Sequence, residues 1–177
     1  MSYMLIEEQG NLFVGDADPN ASLHLVLAEI ALPKLEENFT EHNGGGAVMG
    51  LDIGVGYKSL SASFKLVGHQ DHVMKHFGLG SRVNQSFTYR GAMRDRVSGE
   101  LKKAVAVITG RLATVEPETF KRGELKHHDY EIKGITRYEL KVGGNELYLF
   151  DFVSSTWRIG GVDENADVRS ILNIPGA

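Results

Sequence analysis

His69, Asp71, His72 and His76 lie close together, and they are the first place in this chain where chemistry could sit. On a helix His72 and His76 would share one face a turn apart, a spacing that can hold zinc. The glutamate that a zinc protease sets beside its first histidine is missing, and no further ligand stands out. A solvated helix face accounts for these residues more simply. His127-His128-Asp129 invites an acid–base reading, but on a strand the two histidines point to opposite faces and cannot act on one substrate. No serine or threonine occupies a nucleophile elbow. The expectation is a non-enzyme with no catalytic residue, no metal and no cofactor.

Two further patterns imitate binding motifs. The glycine-rich stretch from Gly44-Gly45-Gly46 to Gly56-Tyr57-Lys58-Ser59 resembles a phosphate loop in composition. Tyr57 separates the last glycine from Lys58-Ser59, and the residues that follow alternate like a strand. A phosphate loop needs a helix N-terminus to aim its backbone donors, so the stretch reads as an extended hairpin arm over residues 40–58. Arg90, Arg94, Arg96, Lys102 and Lys103 gather between Tyr89 and Lys103, interrupted by Asp95 and Glu100. A turn between two strands explains them better than a nucleic-acid patch.

Composition narrows the classes further. A chain of 177 residues supports one domain, residues 1–177, with a core that needs no staples. It has no cysteine, so disulfides and thiolate zinc sites are excluded. A net charge of −4 argues against binding to nucleic-acid phosphates. No apolar run reaches the length of a membrane span. Met1 to Gly15 carries Glu7 and Glu8 and has no basic region before an apolar one, unlike a signal peptide.

The elements that would position any site are mostly strands. Leu12–Val14, Ser22–Leu32 and Val48–Tyr57 are candidates, the second ending at Pro33. Ser59–Leu66 alternates cleanly, with Leu60, Ala62, Phe64 and Leu66 on one side. Ser86–Arg94, Lys102–Val115 and Glu146–Asp151 follow. Short helices are expected at Gln70–Phe77, closed by Gly78, and at Glu164–Leu172. Many strands with one or two short helices read as mainly β (α+β), an antiparallel β-sandwich or barrel.

Leu125–Val142 is the most informative run. Tyr130, Ile132, Tyr138 and Leu140 lie on one face; Asp129, Glu131, Lys133, Arg137, Glu139 and Lys141 lie on the other. Fully extended it would span roughly 60 Å, against a compact body about 40 Å across. The strand either bends, at Gly134, or reaches beyond its own subunit. Long strands with open edges need partners, and closure of the sheet through neighbouring subunits would give a ring with a lumen.

From about Ile30 to Ile174 the chain resembles the major tail tube proteins of contractile-tailed phages, a family that includes the tube of R-type pyocins. The resemblance rests on Leu32-Pro-Lys-Leu35, Gly50-Leu-Asp52, Phe77-Gly78, Phe87-Thr-Tyr-Arg90-Gly91, Gly110-Arg-Leu112 and Phe120-Lys-Arg-Gly-Glu124. It continues through Tyr138-Glu-Leu-Lys-Val-Gly143 and Gly160-Gly-Val-Asp163. Each piece is short; their order and spacing carry the likeness. Residues 1–19 depart from the pattern.

The resemblance implies a structural subunit of the virion tail, assembled in the bacterial host cytoplasm. Hexameric rings would stack into a hollow tube inside a contractile sheath, enclose the tape measure protein and conduct DNA during ejection. Partners would be other copies of the chain, the sheath protein, the baseplate hub and the tail terminator. Residues Gly44, Gly45, Gly46, Met49, Leu51, Ile53, Gly54, Gly56 and Tyr57 are expected to form an inter-ring arm. Asp129, Glu131, Lys133, Arg137 and Glu139 are expected to face the lumen. The alternatives are a ring-forming tube protein of type VI secretion and, from another class, a monomeric β-sandwich binding module or a hydrolase with a histidine metal site.

Overall fold

The computed structural model describes residues 4–15, 18–78 and 83–175. It is mainly β and antiparallel, with two short helices, as the alternation demanded. The strands are β1 (Leu5–Val14), β2 (Leu27–Ala31), β3 (Glu37–His42), β4 (Leu51–Tyr57), β5 (Ala62–Val67), β6 (Gln85–Asp95) and β7 (Leu101–Pro117). They continue as β8 (His127–Val142), β9 (Asn145–Asp151), β10 (Thr156–Ile159) and β11 (Val162–Asp163). Helix α1 covers Asp71–Met74 and α2 covers Ala166–Ile171.

The long β7–β8 hairpin organises the body, and it bends. Thr109 pairs with Arg137 and Arg111 with Lys133, so three residues of β8 oppose Gly110 alone. Gly134 takes φ 58° at this bulge, a conformation glycine adopts without penalty. Gly110 is required by space: a Cβ there would lie 3.0 Å from the Ile132 methyl and 3.1 Å from the Lys133 carbonyl.

Below the bend, residues 127–132 of β8 pair with β5, and β5 with β2. Above it, residues 137–142 pair with β9, and β9 with β10. β7 runs beside β8 throughout, and its first half also pairs with β6, which pairs with β1. One hairpin therefore serves two half-sheets.

The core lies between them. Phe64 of β5 stacks on Tyr130 of β8 at 4.9 Å and meets Phe87 of β6 at 6.2 Å. Leu12, Ile108, Leu112, Ile132 and Tyr138 complete the same buried cluster. Because the apolar faces meet, the polar faces of the two half-sheets look away from each other.

Several boundaries differ from the sequence reading. Ser22–Val26 is a turn, and only Leu27–Ala31 is strand. Leu23 is buried through that turn, its N–H bonded to the Leu12 carbonyl, so apolar content there signals packing and not pairing. β1 is longer than Leu12–Val14 because its polar half, Leu5–Asn11, is held by β6 alone. The helix expected at Gln70–Phe77 shrinks to Asp71–Met74, and Phe77 forms an isolated bridge to Leu112 instead.

Candidate assembly surfaces

Two features leave backbone or apolar groups without partners in the lone chain. The first is the β3–β4 hairpin, a two-stranded sheet apart from the body. It runs from Glu37 to Tyr57, beside the arm expected over residues 40–58. Glycine and short polar residues at its tip allow a turn in which the Ala47 N–H donates to the Gly44 carbonyl. Its register breaks where Asn38 pairs with Gly56 and Phe39 with Gly54, leaving Val55 bulged; Gly56 takes φ 126° there.

Among the described residues, little packs on this arm beyond its root. Of residues 37–57 all but Asn38, Gly44 and Gly50 are exposed. Alternation puts Thr40, His42, Leu51 and Ile53 on one face and Phe39, Glu41, Asp52 and Gly54 on the other. Met49 at the tip is 79% exposed, and Ile53 45%. A strand of such composition belongs against another surface. The space above Gly54 is bounded by the Glu37 carboxylate and, at 3.8 Å, the Phe39 ring.

The arm's root is fixed to the body. Tyr57 stacks on Trp157 of β10 at 4.2 Å, and Trp157 on Phe150 of β9 at 3.6 Å. The Lys58 N–H donates to the Glu36 carbonyl across the root. Hydrogen bonds from Lys34 and Lys58 hold the Glu36 carboxyl at about 2. A cleft of about 800 Å3 opens beside this stack, between Tyr57, Ile135, Trp157 and Asn165.

The second feature is the smaller half-sheet, in the order β2, β5, β8 (residues 127–132), β7 (residues 111–117). β2 has no neighbour beyond β5. β7 loses β6 at Gly110, and along that edge its second half meets the Phe77 bridge at Leu112 and, through the Arg111 side chain, the Gly78 carbonyl. Among the described residues the β2 edge is open, and the β7 edge is open beyond Leu112. Its outward face is polar: Lys65 lies 3.5 Å from Glu29 and 3.8 Å from Asp129, and Lys133 is 3.1 Å from Glu131. Thr114 donates to Glu131 across the strand pair.

The bend divides the five residues that the sequence placed on one face. Asp129, Glu131 and Lys133 stay on the smaller half-sheet. Arg137 and Glu139 belong to the opposite surface, where Arg137 pairs with Asp151 at 3.1 Å and Glu139 with Lys141. Period-two alternation holds on either side of Gly134, but the surface it points to changes.

The histidines are placed differently from each other. His127 is half-exposed, with its ring 3.8 Å from the Glu118 carboxylate. His128 is 2% exposed, edge-on to His69 at 4.5 Å, and its Nδ1 has no partner. Burial first, then His69, push its pKa down, while Glu118 acts the other way. No three histidine, aspartate or glutamate residues are grouped as a metal site among the described residues. Helix α1 is too short to present His72 and His76 as one helical face.

Sequence reasoning missed β10 and the root it provides. Thr156-Trp157-Arg158-Ile159 alternates, but the run is too short to separate from a turn; the one tryptophan was its signal.

The chain resembles known proteins in sequence and in fold. The family model described as phage tail tube protein FII matches residues 17–172. No curated protein matches the chain. Among solved structures, a chain of the extended-state sheath-tube complex of the PVC extracellular contractile injection system aligns with TM-score 0.54 at 9% identity. It covers 75% of this chain and 88% of its own. A chain of the anti-feeding prophage (AFP) baseplate aligns with TM-score 0.51 at 10% identity, covering 80% and 94%. At such identities the likeness is one of fold. β1 lies outside the family match, yet supplies Leu12 and Val14 to the core.

Proposed function

Since the chain belongs to the phage tail tube protein FII family, we propose that its copies close into hexameric rings and that the rings stack into a hollow tube. The observation that carries this reading is the smaller half-sheet with an open edge on each side. β2 of one copy pairing with β7 beyond Leu112 of the next would satisfy unpaired backbone groups on both edges. Such a contact is heterologous and closes when the rotation between copies divides a circle.

Repeated around the ring, that half-sheet becomes the wall of a lumen, and its polar face meets water. Glu29, Glu116, Asp129 and Glu131 then line the channel with Lys65, Arg111 and Lys133. Acids outnumber bases, which lets a phosphate backbone pass without sticking. Arg137 and Glu139 are outside this lining.

The tube would enclose a tape measure protein during assembly and conduct DNA during ejection, as a component of a virion tail built in the host cytoplasm. A sheath protein would surround it, with a baseplate hub and a terminator at its ends. The arm, Glu37–Tyr57, would contact the neighbouring ring. Negative-stain electron microscopy across a concentration series, with mass determination in parallel, tests the reading. Hexameric rings or hollow filaments are expected. A monomer at every concentration would contradict it.

A further inference from the structure

We propose that the arm of one copy docks on the far rim of the smaller half-sheet of a copy in the next ring, the rim formed by Leu25 and residues 118–126. This rests on the tube reading above and names the surface that receives the arm.

The register fixes the two ends. Ala62 pairs with Ile132 beside the bend, and Val67 with His127 at the other end. Both legs of the arm, from Ala31 and into Ala62, leave from the bend end. At the opposite end the Val67 N–H donates to the Val26 carbonyl, and the Gly68 N–H to the Lys126 carbonyl. Arm and rim thus lie at opposite ends of one half-sheet. A contact between them is heterologous and does not close on itself, so it propagates as a stack.

Chemistry matches the two surfaces. The rim exposes Leu25, Phe120 and Leu125, which suit Met49 at the tip and Phe39, bare on the face that carries Glu41 and Asp52. The arm's charged side chains are Glu37, Glu41 and Asp52, with no lysine or arginine. Glu41 lies directly opposite Asp52, and like charges so placed destabilise a strand pair. Neither has an ion pair among the described residues. On the rim Glu124 is held by Lys121 and Lys126, and Glu118 lies beside His127. Arg122 has no ion pair among the described residues. A second copy's Arg122 between Glu41 and Asp52 would relieve the repulsion. The arm also has the right size, since a standard interface takes about 20–30 residues a side.

The absence of cysteine makes the test direct. Met49→Cys and Phe120→Cys, both at exposed positions, are purified separately, mixed, assembled and oxidised. Roughly 30 Å or more of extended strand separates the two positions within one copy, so a disulfide between them joins copies. The mixture should give a covalent dimer that neither variant gives alone. Tubes that form without this dimer overturn the inference and leave the tube reading standing. If the unaltered chain forms neither rings nor tubes, the tube reading fails, and the inference with it. As a second measurement, Arg122→Glu should raise the concentration at which tubes appear by roughly tenfold or more. Adding Glu41→Arg should restore it; no effect of the first change, or no restoration by the second, counts against the docking.

Discussion

Two hairpins in this molecule are interrupted by glycine, with opposite consequences. At Gly110 and Gly134 the β7–β8 hairpin bends so that its two halves face each other through Phe64, Phe87 and Tyr138. At Gly54 and Gly56 the β3–β4 hairpin is also broken in register, but both of its faces stay bare. The same residue types that close a core in the first hairpin are exposed in the second. Burial inside one chain gives stability; exposure of the same kind of surface gives a need for a neighbour.

Substitutions should therefore separate folding from assembly. The largest effect is expected in the core. Phe64→Ala should cost about 3–5 kcal/mol in denaturant unfolding, through lost contact with Tyr130 and Phe87 and the cavity left behind. Ile53→Asp in the arm should leave unfolding within about 0.5 kcal/mol of the parent and abolish stacking.

The bend should come next. Gly110→Val forces a side chain against Ile132 and Ile135 and should cost about 1–3 kcal/mol. Gly134→Ala, strained by the positive φ alone, should cost about 1–2 kcal/mol. Gly54→Leu, crowding Glu37 and Phe39, should leave rings intact in micrographs and prevent their stacking. Filaments from that variant would remove the arm from the ring contact.

Between pH 7 and 5 acid should act on the body through His128 and His76. His128 is neutral in the fold, with its pKa below the ordinary 6.5, whereas the unfolded chain takes up the proton near 6.5. Stability is thus complete above that pH and declines as pH falls toward the lowered folded value. The slope is at most about 1.4 kcal/mol per pH unit for one group. His76, lowered by burial, Lys75 and His72, adds in the same direction. Thermal unfolding between pH 7 and 5 should show the decline, and His128→Leu should flatten it.

The smallest effect is expected at the root. Tyr57→Ala loses a half-exposed stack on Trp157 and should cost about 0.5–1.5 kcal/mol, while raising protease cleavage within residues 32–60.

Much of this contrast is legible in the residues. The β8 alternation shows one wet and one dry face, and Gly134 marks the place to bend. Glycine among Leu51, Ile53 and Val55 marks an arm. The bulge opposite Gly110 is not legible, because it belongs to the pairing of two strands and not to either alone. For that reason Arg137 and Glu139 read as companions of Asp129 and Glu131, although the fold sends them to another surface. β1 is longer than its apolar stretch because Glu7, Glu8 and Gln9 face water on an edge, where pairing with β6 leaves no apolar period. The apolar run Ser22–Leu32 exceeds its strand because Leu23 is buried through a turn.

The central claim is that the body folds by itself and the arm exists for another copy. Parallel thermal unfolding and electron microscopy of Ile53→Asp beside the unaltered chain address it most directly. Unfolding temperatures that coincide, with stacked tubes from the parent and none from the variant, are the predicted result. A variant that unfolds as early as a core variant, or that stacks as well as the parent, would contradict the account.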